Sequence, residues 1–179
     1  MKLLLHTCCA PCSIYPLKIL GQMDMDVMAF FYRHNIHPFT ECQKREETLK
    51  RYSQSIDLKV IYQQDYKIEK FFQSVVFREQ DRCRYCYYDR LKATALVAKK
   101  GKFQAFTTTL LYSKFQNHDL IRETGEAIAK KYGLIFFYHD FREGWKFGIE
   151  ESKKVNMYRQ QYCGCIYSEK ERYFRSGTK

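Results

Sequence analysis

Five short apolar runs, separated by stretches with helical spacing, constrain what this chain can fold into more than any other feature. The runs cover residues 2–6, 27–32, 58–62, 103–107 and 134–138. Between them, Pro11 is placed to open a helix over 13–20, since a first helical turn needs no N–H there, and Gly21 ends it. The charged stretch 41–55, with Leu49 and Tyr52 three apart, reads as an exposed helix. Residues 66–72 predict a short helix. Residues 90–100 have helical spacing through Leu91, Ala95 and Ala98, stopped by Gly101. Asn117 or Asp119 can cap the next helix, which runs through Ile121 and Ile128 to Tyr132, and a last helix is expected over about 148–158. Strands alternating with helices predict an α/β fold, a mostly parallel sheet built from right-handed crossovers and flanked by helices. At 179 residues, the chain suits a single domain, 1–179, with a core that needs no covalent staples. In such sheets a ligand site lies beyond the carboxyl ends of the strands.

Seven of the eight cysteines fall into three knots: Cys8-Cys9-x-x-Cys12, Cys83-x-x-Cys86 and Cys163-Gly164-Cys165. Clustered thiols mean a disulfide scaffold, a zinc site, a redox dithiol or an iron–sulfur site. Chain size argues against the scaffold. The apolar opening, residues 3–5, is too short for a secretory core, and no run approaches membrane-spanning length. The expectation is therefore a cytoplasmic protein with no membrane partner, in a compartment where thiols bind metal or do redox chemistry.

Cys83 and Cys86 have the spacing that points two thiolates at one metal, cluster or partner sulfur. Cys8 and Cys9 are adjacent, and on an extended segment adjacent side chains diverge. Without a sharp turn they are expected to serve two neighbouring centres rather than one ion. Gly164 allows a tight clip around an ion. A four-iron cluster takes four thiolates, or three plus a carboxylate, which leaves about three for a second metal or a reducible dithiol. Two four-thiolate zinc sites would consume all eight cysteines, including the isolated Cys42, so redox metal is the better reading. Asp81 is the carboxylate nearest a knot. Cys42 and the scattered His6, His34, His37, His118 and His139 read as structural.

The formal net charge is +11, from 31 Lys and Arg against 20 Asp and Glu, and aromatics make up 17%. That balance attracts phosphate backbones and offers planes for unstacked bases.

Four segments, His6-Thr7-Cys8-Cys9-Ala10-Pro11-Cys12-Ser13, Asp81-Arg82-Cys83-x-x-Cys86-Tyr87-x-x-Arg90-Leu91, Thr108-Thr109-Leu110 through Asn117-His118, and Tyr158-Arg159-Gln160-x-Tyr162-Cys163-Gly164-Cys165, together resemble the epoxyqueuosine reductase family QueH. The resemblance runs in order over nearly the whole chain and includes Asn35-Ile36-His37-Pro38 and Asp140-Phe141-Arg142-Glu143-Gly144. Arg33-His34 departs from it, standing where an Asn-Pro pair is expected. The resemblance implies a Rossmann-like domain akin to the loop-pyrophosphatase (HUP) sheets, with Cys8 to Ser13 in place of a phosphate loop and hence no ATP use. It implies an iron–sulfur oxidoreductase that removes the epoxide oxygen of epoxyqueuosine at the tRNA wobble position, using a 4Fe-4S cluster and an additional iron ion, without cobalamin. Its partners would be tRNA and a ferredoxin-like or flavoprotein electron donor.

The expected division of ligands is Cys9, Cys83 and Cys86 on the cluster, with a fourth from Cys12 or Asp81. Cys8, Cys163 and Cys165 would hold the second iron or form a redox dithiol. Tyr162, His118 and Asp140 are candidate proton donors, and Arg82, Arg84, Lys114, Arg142 and Arg159 could meet phosphates. Two rival readings are a zinc-bound RNA-binding module without catalysis and a metal-free thiol–disulfide oxidoreductase working through Cys83 and Cys86.

Overall fold

In the computed structural model, which describes residues 1–174, five strands form one parallel sheet. They are β1 (Lys2–Thr7), β2 (Asp26–Phe31), β3 (Val60–Tyr62), β4 (Ala105–Thr108) and β5 (Ile135–Phe136), in the order β3-β2-β1-β4-β5. Leu3, Leu4 and Leu5 of the central strand are fully buried. That is the continuous apolar run expected of a parallel strand covered on both faces. The helices are α1 (Ala10–Gln22), α2 (Phe39–Ser55), α3 (Ile68–Val75), α4 (Arg82–Lys100), α5 (His118–Tyr132), α6 (Trp145–Lys154) and α7 (Ile166–Tyr173). α4 packs on β1, β4 and α5, and α1 packs on α6. After β3 the chain returns to place β4 beside β1, so the strand order reverses between those two. That reversal is the topological switch point where α/β sheets bind their ligands.

All five expected strands are present, β3 and β5 shorter than their apolar runs. α5 is capped as anticipated: Asn117 Oδ1 accepts from the Leu120 N–H at 3.0 Å. Gly133 closes it in the left-handed conformation, φ 69°, which costs glycine nothing.

Three expectations need correction. α4 starts at Arg82 rather than Arg90, because nothing between them breaks a helix, so the second thiol knot rides on its first turns. α6 begins at Trp145 and stops at Lys154, and α7 follows the third knot where no helix was expected. Finally, α2 is not merely an exposed charged helix. Glu41, Cys42, Arg45, Glu46, Thr48 and Leu49 line a buried face, with Cys42 and Leu49 in a small core beside Ala10, Phe31 and Ile36.

α5 meets the sheet through a glycine. A Cβ at Gly125 would stand 2.6 Å from the Phe136 ring, and both Phe136 and its partner ring Phe106 are buried. Gly125→Ala is therefore expected to cost about 1–3 kcal/mol by overpacking, read as a lower denaturant midpoint. An unchanged midpoint would show that this contact relaxes freely.

Candidate metal centre

The first knot forms where β1 ends and α1 begins. Cys9 is the extended N-cap residue (φ −172°, ψ 158°) and Cys12 sits three residues on, in the first turn. Those two positions face each other at any helix start, as they do in a capping box. The turn also brings Cys8 in, so adjacent thiols that were expected to diverge converge instead. Cys8 and Cys9 Sγ lie 3.9 Å apart, and the sulfurs of Cys8, Cys9 and Cys12 are all buried within 4.8 Å of one another. Thr109, just past β4, touches Cys8 through Oγ1 at 3.5 Å, and Gln160 Nε2 donates to Cys12 Sγ at 3.1 Å. Hydrogen bonds from Cys12 and Cys9 hold the Cys8 thiol well below its ordinary range, and the positive end of α1 favours the same charge. Burial pushes Cys9 the other way.

Cys83 and Cys86 lie one turn apart on α4, and Arg90 follows one turn later on the same face. Arg90 Nε donates to Cys86 Sγ at 3.2 Å, and Asn35 Nδ2 reaches the same sulfur at 3.4 Å. The third knot bridges α6 and α7, with Cys165 as the N-cap of α7 and Gln116 Nε2 donating to Cys163 Sγ at 3.4 Å. It is clamped from two sides. The His37 N–H donates to the Gly164 carbonyl at 2.8 Å, and Arg45 donates to the carbonyls of Cys163 and Tyr162 at 2.8 and 3.0 Å. A Cβ at Gly164 would sit 3.0 Å from the Asn35 carbonyl oxygen and 3.4 Å from Arg90 Nη2, so only glycine passes there without strain. Arg90 and Asn35 link the knots: both touch Cys86, both stand beside Gly164, and Arg90 reaches His6, two residues before Cys8. The three knots thus gather around Arg90 near the switch point, buried at the Cys8–Cys9–Cys12 end and open where Cys83 and Cys163 are exposed. Among the described residues only Cys8, Cys9 and Cys12 stand close enough to share one ion.

The remaining sequence candidates fall in different places. Asp81 is exposed and lines a cleft of about 680 Å³ between α3, α4 and α5, together with Arg78 and Arg84. The Tyr162 hydroxyl donates to the His37 carbonyl at 2.5 Å, and burial pushes it up to about 12. Asp140 pairs with Arg142, whose hydrogen bond holds the carboxyl down at about 2. His118 is buried, with its Nδ1 unpartnered among the described residues. Arg82 is tied to Glu171, and Lys114 stacks on Trp145. Cys42 stands apart from the knots; burial pushes its thiol up to about 11.

Arg45, Arg90, Asn35, Gln116, Gln160 and Thr109 were not singled out by residue type, yet they touch the knots. Some lie inside the motifs, but a buried guanidinium cannot be told from a solvated one by spacing.

The chain matches the family model "Epoxyqueuosine reductase QueH" over residues 3–171. It belongs to the QueH family. A relative described as epoxyqueuosine reductase QueH from Dehalococcoides mccartyi is 37% identical over 172 residues, covering 96% of this chain and 94% of that one. Another, from Thermotoga maritima, is 35% identical over 181 residues, covering 94% and 91%. In fold the chain is similar to a solved structure described as a "predicted subunit of tRNA methyltransferase" from Methanocaldococcus jannaschii. That likeness has a TM-score of 0.56 at 10% identity and covers 86% of this chain and 74% of that one. It supports the α/β architecture with its parallel sheet.

The donor set fits a thiophilic metal. Three buried sulfurs within 4.8 Å of one another stand at the spacing taken by thiolate ligands of a metal or of neighbouring atoms in a cluster. The two fully buried arginines beside the knots also suit an anionic thiolate centre better than neutral thiols.

Two buried histidines around the site set a pH dependence. Burial, then the Arg90 charge, brings His6 down to about 3, and burial brings His37 down to about 4. Both rings are neutral in the fold and take up protons near pH 6.5 only when the chain unfolds. Stability present above about pH 6.5 is therefore lost as pH falls towards 4. Urea unfolding of the metal-free protein should show a lower midpoint at pH 5 than at pH 8; equal midpoints would mean the rings titrate normally in the fold.

Proposed function

We propose that this chain is an epoxyqueuosine reductase that removes the epoxide oxygen of the modified wobble base of tRNA, giving queuosine. Two electrons and two protons enter, two C–O bonds break, a carbon–carbon double bond forms and water leaves. The observation that carries this reading is the convergence of three thiol knots at the switch point of a QueH-family chain.

Cys9, Cys83 and Cys86 would hold a 4Fe-4S cluster, with Cys12, buried beside Cys9, as fourth ligand in preference to Asp81, which faces the outer cleft. Cys8, Cys163 and Cys165 would hold the additional iron, Cys8 lying next to the cluster ligand Cys9. When bound, the cluster supplies electrons singly and an open iron supplies a Lewis acid for the epoxide oxygen; cobalamin is not needed. Tyr162 positions the third knot through His37 and Arg45. Of the three proton-donor candidates, Arg142 keeps Asp140 ionised, the Tyr162 hydroxyl is engaged by the His37 carbonyl, and His118 is held neutral by burial, its Nε2 turned to the Ser113 carbonyl. The donor is taken to be whichever of Tyr162 and His118 meets the bound base.

The target base enters splayed out of its loop, as single-stranded RNA is generally read. Arg84 and Arg159, outside the ion pairs among the described residues, meet phosphates, while Arg82 and Arg142 are committed internally. No helix among the described residues is long and apolar enough to cross a membrane. The reading places the protein in the cytoplasm, supplied by a ferredoxin-like or flavoprotein donor that reaches the open side near Cys83 and Cys163.

Anaerobic reconstitution with iron and sulfide tests the metal half of this reading. Broad visible absorbance bleached by dithionite, with iron and acid-labile sulfide in the protein, is the expected result. A colourless zinc protein would support an RNA-binding module instead, and a metal-free reducible Cys83–Cys86 pair would support a thiol–disulfide oxidoreductase.

A further inference from the structure

Arg90 is one of the largest fully buried side chains of the fold, 1% exposed, and it lacks the partner that such a residue normally has. None of the ion pairs among the described residues includes it. Its neighbour in the site, the equally buried Arg45, is paired with Glu41 at 2.7 Å. Arg90 instead donates to Cys86 Sγ (3.2 Å), His6 Nε2 (3.3 Å) and the Asn35 carbonyl (3.0 Å).

Two of these acceptors are neutral. A carbonyl carries no charge, and because a guanidinium only donates, Nε2 of His6 must present a lone pair. The ring is then a neutral imidazole that gives its Nδ1–H to Thr108 Oγ1 at 2.8 Å. Among the described residues, the Cys86 sulfur is the only hydrogen-bond partner of Arg90 able to carry negative charge. A buried cation left without an anion is strongly unfavourable, so the guanidinium favours negative charge on the sulfurs around it, Cys86 being the one in direct contact. Arginine also suits the position geometrically, because its rigid fork serves three acceptors on three different elements at once.

We infer that Arg90 is the internal counter-cation and positioning residue of the metal centre, its charge selecting an anionic thiolate-bound occupant and its Nε–H tuning that occupant through Cys86. The inference rests on the reading of Cys86 as a ligand. Positive charge and N–H···S bonds stabilise the reduced, more negative state of a thiolate-bound cluster, and so raise its reduction potential.

Potentiometric titration of the reconstituted protein tests this, compared at equal iron and sulfide content. The potential should fall from wild type to Arg90→Lys, which keeps the charge but loses the fork, and fall further in Arg90→Met, which loses both. An unchanged potential in fully loaded Arg90→Met overturns the inference. A second measurement needs no substitution: wild-type protein labelled with ¹⁵N-arginine, reduced and examined by pulsed electron paramagnetic resonance. A ¹⁵N coupling from a guanidinium nitrogen is expected, and a loaded cluster without one overturns the inference while leaving the proposed function intact. Wild-type protein that takes up no iron or sulfide overturns the metal reading, and this inference with it.

Discussion

Cys86→Ala is expected to abolish cluster loading and reductase activity together, each by more than about 100-fold. Losing the sulfur removes a proposed ligand and also the acceptor of the buried Arg90 Nε, whereas Asn35 Nδ2 keeps the carbonyl of residue 86. A buried donor left unpaired costs about 1–3 kcal/mol, so the metal-free variant should also unfold at lower denaturant than the wild-type protein. Iron and sulfide assays, visible spectra and denaturation of both proteins measure the two effects. A variant that kept full iron content and full rate would remove Cys86 from the ligand set. Cys42→Ala serves as the control. That thiol is more deeply buried than Cys86 but stands apart from the knots, and its loss should leave iron content unchanged.

Arg45→Met is expected to be the most destabilising substitution around the site, by about 3–5 kcal/mol. The guanidinium is fully buried, pairs with Glu41 at 2.7 Å and donates to the carbonyls of Cys163 and Tyr162. Methionine fills a similar volume but leaves Glu41 buried with only the Tyr158 hydroxyl, which donates to its Oε2 at 2.5 Å. It also frees two carbonyls of the third knot. For a chain of this length the melting temperature should drop by roughly 6–20 °C, and the Cys163-Gly164-Cys165 clip should loosen. Arg45→Lys is not expected to rescue the protein, because one ammonium cannot reproduce a planar fork that spans a carboxylate and two carbonyls. A change below about 1 kcal/mol in Arg45→Met would show that the carboxylate and carbonyls find other partners, such as water.

Much of the architecture is legible in residue order alone. Parallel strands covered on both faces read as apolar runs, and the run at Leu3-Leu4-Leu5 is the sheet's centre. The knot after β1 and the hydroxyl-rich stretch after β4 fall on the working edge because both directly follow strands. Other features depend on partners distant in sequence. Residues 82–89 mix three tyrosines with charges and cysteines, which hides the face that α4 turns inward. α2 looks solvated because its buried face carries Glu41, Arg45 and Glu46. That face is satisfied by Arg33 and by the third knot, more than 110 residues further on in the case of Arg45 and Cys163. The convergence of Cys8 with Cys9 depends on the helix beginning at Ala10, a one-residue matter that spacing does not resolve. The placement of the first knot directly after β1 is readable from residue order, whereas the buried arginines beside the knots are not.

Incubation of the anaerobically reconstituted protein with epoxyqueuosine-containing tRNA and a one-electron reductant, followed by nucleoside mass analysis, tests the central claim most directly. The account predicts loss of one oxygen from the modified nucleoside and appearance of queuosine, dependent on bound iron. Unchanged epoxyqueuosine in the presence of a fully loaded, reduced protein would contradict it.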